Sequence, residues 1–72
     1  MDISRFVEPE LNLYRSQCNF VGVEKDVFEM RSKGKGLAEI SEELKYTHDH
    51  IRKVSQDVND KITRVQHILS TF

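Results

Sequence analysis

The sequence predicts a small all-α protein, a bundle of three to five helices with a long or broken C-terminal helix. Apolar residues recur at intervals of three and four along most of the 72 residues, which is helical spacing. One Pro and three Gly leave few positions that interrupt a helix. A hydrophobic content of 38% beside a charged content of 32% is typical of a globular domain rather than a disordered segment.

Two helices are predicted in the first half of the chain. The first covers residues 9–17, because Pro9 suits the start of a helix and the apolar pattern begins there. Its apolar side is formed by Leu11, Tyr14 and Cys18. Residues 19–22 break the pattern, and residues 24–32 resume it. The second helix is expected to end before Gly34, which suits the left-handed conformation that follows a helix.

Two further helices are predicted in the second half. Residues 37–44 carry a narrow apolar stripe of two turns, too short to be stable alone. Thr47 is a good N-cap residue, and Asp49 follows in the first turn, where a carboxylate is favourable. The apolar pattern then continues to the terminus through Ile51, Val54, Val58, Ile62, Val65, Leu69 and Phe72. One helix over residues 48–70 and a break near residues 59–60 are both compatible with this periodicity.

The third and fourth predicted helices have the spacing of a helix-turn-helix, in which the second helix is presented to the major groove of DNA. Ser41 supplies the small residue needed where the helices cross. With Leu37 as the first position, the buried positions of this arrangement are Ile40, Leu44, Tyr46, Ile51 and Val54. Lys45 occupies a turn position that usually carries Gly, and a left-handed Lys there costs about 1 kcal/mol. Either the turn carries this strain or it is built differently.

The resemblance to a known family rests on residues 24–34, 40–44, 47, 50–52 and 61–62. This pattern resembles the DNA-binding domain of LuxR-type regulators and is similar to the fourth region of bacterial sigma factors, which shares the helix arrangement. It covers roughly residues 23–62. Residues 17–20 look like the corresponding part of short stand-alone sigma-like proteins of phages and mobile elements of Firmicutes.

The resemblance implies a transcriptional regulator that places the helix beginning near Thr47 in the major groove of double-stranded DNA. Arg52 is suited to guanine, Gln56 to adenine, and Lys53 to phosphate. The full set of expected DNA contacts is Thr47, His48, Asp49, Arg52, Lys53, Gln56, Lys33 and Lys35, with His50 and Ser55 at the margins. The family often has His and Val where this chain has Val54 and Ser55, so base preferences are not carried over.

The charges give a divided signal for nucleic-acid binding. The formal net charge is −1, but residues 31–53 hold six basic and four acidic side chains and are locally positive. Glu39, Glu42 and Glu43 oppose a nearby phosphate backbone. The alternative is therefore a protein-interaction module that docks on RNA polymerase or another regulator through its acidic second and third helices.

The predicted organisation has three parts: an N-terminal segment with a short helix over residues 1–22, a helix-turn-helix domain over residues 23–62, and a helical extension over residues 63–72. The apolar stripe along the last helix is either simple core or the seam of a homodimer, and we expect the dimer because the remaining core is small. The seam would comprise Val58, Ile62, Val65, Leu69 and Phe72.

Several functions are not expected. The chain shows no nucleophile with a base, no paired carboxylates in a plausible cleft and no Cys cluster, so we expect neither an enzyme nor a cofactor. His48 and His50 stand two apart and point to different sides of a helix, which disfavours a metal site. We expect no small-molecule ligand and no membrane span. The lone Cys18 favours a cytoplasmic location.

Overall fold

The computed structural model describes residues 2–70, and within them the chain forms one 3₁₀ turn and four α-helices with no strand. The elements are the 3₁₀ turn Ile3–Arg5, α1 Glu8–Gln17, α2 Val23–Ser32, α3 Leu37–Leu44 and α4 His48–Ser70. The all-α prediction is confirmed. Helix α4 runs without interruption, so the alternative with a break near residues 59–60 is wrong.

Local sequence signals explain where the first two helices begin and end. Glu10 accepts a hydrogen bond from the Val7 N–H at 3.1 Å, which fixes the start of α1 one residue before Pro9. Helix α2 follows Gly22, whose φ of +54° reverses the chain direction. Gly34 has a φ of +88° just past the end of α2, as expected.

The turn between α3 and α4 has the strained form. Lys45 takes the left-handed conformation, with φ 61° and ψ 39°. The Tyr46 N–H donates a hydrogen bond of 3.1 Å to the Ser41 carbonyl. The Thr47 hydroxyl accepts a hydrogen bond from the His50 N–H at 3.1 Å, which is the predicted N-cap. Only three residues, 45–47, therefore join α3 to α4, and the two helices pack against each other.

The core forms where α4 crosses α1, α2 and α3. Its fully buried side chains include Val27 and Phe28 from α2 and Ile40 from α3. Helix α4 adds Ile51, Val58 and Ile62, and the N-terminal part of the chain adds Ile3, Leu11, Tyr14 and Cys18. Most of the predicted helix-turn-helix core positions are at least half-buried. Tyr46 is the exception, because its side chain is 44% exposed and lies outside the core.

The burial pattern corrects the predicted dimer seam. Val58 and Ile62 are 0% exposed and are covered by other parts of the same chain, so they are not available to a second copy. Val65 is half-buried against the core, whereas Leu69 is 48% exposed. Phe72 lies outside the described residues.

Two ion pairs join the helices at the edge of the core. Arg15 of α1 donates two hydrogen bonds, of 2.7 and 2.8 Å, to the carboxylate of Glu29 in α2. Lys61 of α4 forms an ion pair with Glu24 of α2, with an Nζ–Oε1 distance of 2.6 Å. Its Nζ also donates a hydrogen bond of 3.1 Å to the Asn19 carbonyl. Helix α4 is therefore tied to the rest of the chain by polar as well as apolar contacts.

Candidate nucleic-acid interface

The first three turns of α4 present a polar, exposed surface. His48, Asp49, Arg52, Lys53 and Gln56 are all exposed, and the last four line one shallow depression. The opposite side of the same turns is anchored in the core through Ile51 and Ser55. These predicted site residues therefore lie together on one side of a helix that cannot turn freely. Thr47, just before α4, is exposed and caps it.

Arg52 has a local partner on this surface. Its Nη2 lies 3.0 Å from Oδ1 of Asp49, one turn earlier, and both side chains are largely exposed. An exposed pair of this kind contributes only about 0 to 1 kcal/mol, so Arg52 can exchange the carboxylate for another acceptor at small cost. Lys53 has no ion-pair partner within residues 2–70. Its charge is therefore available to an anion.

An aromatic pair stands at the start of α4. The rings of Tyr46 and His50 lie 4.9 Å apart at an interplanar angle of 31°, and both residues are exposed. The sequence pattern assigned Tyr46 to the core and His50 to the margin of the contact surface. Tyr46 lies in the turn before α4, so no helical spacing in the sequence marks this pair.

The two lysines of the loop between α2 and α3 differ from each other. Lys35 Nζ lies 2.7 Å from Glu43 of α3, and this hydrogen bond raises the pKa of Lys35. Lys33 is exposed and makes no ion pair among the residues that the structure describes. Neither lysine lines the depression on α4. The structure thus does not join them to the main group of candidate residues.

Helix α3 carries the opposing charge. Glu39 and Glu42 are exposed, and Glu43 is the partner of Lys35. A phosphate backbone close to Glu39 and Glu42 would be repelled, whereas a basic surface would be attracted. Helices α3 and α4 therefore favour different kinds of partner.

The structure adds a residue that the sequence did not single out as functional. Arg31, in the last turn of α2, is half-buried and reaches α4, where it donates hydrogen bonds to Ser55 and Asn59. Ser55, expected at the margin of the contact surface, is only 4% exposed and faces this guanidinium.

Metal ligands, membrane-spanning helices and the single cysteine were the remaining features of interest within residues 2–70. No group of three or more potential metal ligands is present there. No helix in this range combines the length and the apolar character that a membrane crossing requires. Cys18 is buried, and burial raises the pKa of its thiol, which disfavours the reactive thiolate.

Comparison with known proteins gives no independent assignment. No family model, curated protein or solved structure matches the chain. The resemblance to LuxR-type domains and to the fourth region of sigma factors therefore stays a prediction from the sequence.

Proposed function

We propose that the protein binds double-stranded DNA through the first three turns of α4 and regulates transcription. One observation carries the proposal: Arg52, Lys53 and Gln56 share an exposed side of a helix whose other side is fixed in the core. The short turn at residues 45–47 supports it, because a connection of three residues has the length found in a helix-turn-helix.

The geometry suggests how each residue would act in the major groove, which is wide enough for one α-helix. Arg52 would leave Asp49 and bridge the two acceptors of guanine, and Gln56 would pair with adenine in the same bidentate manner. Lys53 would neutralise a phosphate and so fix the position of the helix without reading sequence. Thr47 and His48 lie at the start of α4 beside this surface, where they would contact the DNA backbone.

The charge distribution limits the affinity of one chain. The net charge is −1, and Glu39 and Glu42 lie on the adjacent helix. Electrostatic attraction is therefore local and is weakened by salt. A homodimer on two half-sites would compensate, since the second binding event becomes intramolecular. With Val58 and Ile62 in the core, such a dimer would use the far end of α4 around Leu69.

The first experiment is selection of the purified protein on random duplex DNA at several salt concentrations. We expect an enriched motif, two-fold symmetric if the protein dimerises, with affinity that falls steeply as salt rises. Weak binding without an enriched sequence would contradict sequence-specific recognition.

Replacement of both cations on α4 tests the surface. We expect Arg52→Ala/Lys53→Ala to lower affinity for the selected DNA by at least about tenfold, since one bidentate base contact is worth about 1 to 3 kcal/mol. Fluorescence anisotropy with labelled duplex measures this loss, and circular dichroism checks that the variant is folded.

The matched control is Lys25→Ala/Arg64→Ala, which removes the same two charges from exposed positions outside the depression. It should retain most of the affinity. Equal losses in both double variants would indicate an effect of net charge alone, and an unchanged affinity for Arg52→Ala/Lys53→Ala would place the DNA surface elsewhere.

The acidic side of α3 supports a second candidate, docking on RNA polymerase or on another regulator. Glu39 and Glu42 are exposed and make no ion pair among residues 2–70. We expect Glu39→Lys/Glu42→Lys to abolish capture by purified RNA polymerase if this candidate is correct, while Arg52→Ala/Lys53→Ala leaves capture unchanged. The opposite pattern would favour DNA.

A further inference from the structure

Arg31 forms a polar clamp between α2 and α4. Its Nη1 donates hydrogen bonds to the Ser55 hydroxyl at 2.5 Å and to the Asn59 side-chain oxygen at 3.1 Å. Ser55 and Asn59 stand four residues apart, one turn along the same side of α4. One guanidinium thus contacts two successive turns of the helix that carries the candidate DNA-binding residues.

The clamp is not a low-cost way to stabilise the fold. Burial lowers the pKa of Arg31, so the charged form is held where solvent is partly excluded. Apolar residues in place of all the partners of a buried polar contact often stabilise a fold equally well or better. The geometry of the contact is therefore more informative than its contribution to the free energy of folding.

The hydrogen bonds of Arg31 are directional and therefore restrict how α4 lies against α2. The remaining contact between α2 and α4 comprises apolar residues such as Phe28 and Val58, which fix the buried side of α4 but tolerate small shifts, and the ion pair of Glu24 with Lys61. The guanidinium is a rigid planar donor, so its hydrogen bonds to two turns restrict both rotation of α4 and sliding along its axis.

The position of the clamp links it to the candidate DNA surface. Ser55 directly precedes Gln56 and lies three residues after Arg52. A shift of one residue in the register of α4 would move these side chains by 1.5 Å along the axis and about 100° around it. Bidentate base contacts do not survive a displacement of that size.

We propose that Arg31 is a positioning residue that sets the register and rotation of α4 against α2, and thereby decides which α4 side chains face DNA. The part concerning DNA rests on the proposed function. The part concerning α4 stands on the Arg31 contacts alone and can be tested without DNA.

The test uses Arg31→Met, which keeps an unbranched apolar side chain and removes the guanidinium with its donors. By NMR we expect altered amide shifts and line broadening along residues 51–59, and the urea midpoint should fall modestly because the buried Ser55 hydroxyl loses this donor. For DNA, the ratio of specific to non-specific affinity should fall by about tenfold, with non-specific affinity nearly unchanged. Ser55→Ala should produce the same changes to a smaller extent, and it serves as the test if Arg31→Met does not fold.

The matched control is Arg64→Met, the same substitution at an exposed site on α4, which should change neither the spectra of residues 51–59 nor the specificity ratio. Unchanged NMR signals in both Arg31→Met and Ser55→Ala would overturn the proposal. A lower urea midpoint with an unchanged specificity ratio would also overturn it, because Arg31 would then be merely structural. If the wild-type protein selects no DNA motif, the proposed function fails, and the NMR result still decides whether Arg31 positions α4.

Discussion

Lys45 stores strain in the turn between α3 and α4. Its φ of 61° lies in the left-handed region, which costs an ordinary L-residue about 1 to 2 kcal/mol. We predict that Lys45→Gly raises the free energy of unfolding by about 0.5 to 1 kcal/mol, because relief of the strain exceeds the greater freedom of Gly in the unfolded chain. Urea denaturation measures the change.

The control for this substitution is Lys33→Gly, at the exposed C-cap of α2, where φ is −89°. No left-handed strain exists there, so the added freedom of Gly should leave stability the same or lower it. A fall in stability for Lys45→Gly as large as that for Lys33→Gly would contradict the strained turn.

Single residues show what could be predicted from the sequence and what could not. Thr47 as N-cap and Gly34 as helix terminator are confirmed, because both act on backbone within a few residues of themselves. The contact from Arg31 to Ser55 spans 24 residues, and no local pattern marks a serine as buried. The prediction for Tyr46 is wrong, since its ring lies tilted against His50 at the surface instead of entering the core.

At the scale of helices, the two ion pairs at the edge of the core make the free energy of unfolding depend on pH. Hydrogen bonds from Lys61 and Arg15 lower the pKa of Glu24 and of Glu29. A carboxyl with a lower pKa in the folded state stabilises the protein fully above its unfolded value, near 4.3, and loses that contribution as pH falls through the folded value.

We therefore predict that the free energy of unfolding is nearly constant from pH 7 down to about pH 5 with respect to these two groups and declines below about pH 4.3. Urea titrations at successive pH values measure the decline. Glu24→Gln should cost about 1 to 2 kcal/mol at pH 7 and reduce the slope of the decline in acid. An unchanged slope in this variant would contradict the contribution of the Lys61 pair.

The limits of the helices could largely be predicted from the sequence, whereas the contacts between helices could not. The limits of α3 match the prediction, and α1 and α2 each begin one residue earlier than predicted. The continuity of α4 could not be decided from periodicity, because Asn59 and Asp60 are weak helix formers. In the structure, Asn59 accepts a hydrogen bond from Arg31 across the helix interface, and this tertiary contact outweighs local propensity.

At the scale of the whole molecule, the apolar stripe of α4 divides into a buried part and an exposed part. Ile62 is buried in the core, whereas Leu69 is half-exposed near the far end of the helix. We predict that Ile62→Ala lowers the free energy of unfolding by about 2 to 5 kcal/mol.

Leu69→Asp should leave stability nearly unchanged and weaken self-association, as measured by sedimentation velocity over a range of concentrations. A wild-type protein that is monomeric at all concentrations would show the sequence-based prediction of a homodimer to be wrong.

The continuity of α4 also bears on how the protein is made. The helix follows α1, α2 and α3 in the chain, yet it packs against all three and supplies Ile51, Val58 and Ile62 to their common core. During synthesis on a ribosome the first three helices emerge before the residues that cover Val27, Phe28 and Ile40. Stable folding therefore waits for α4 to leave the exit tunnel, and until then the nascent chain exposes apolar surface that a chaperone can recognise.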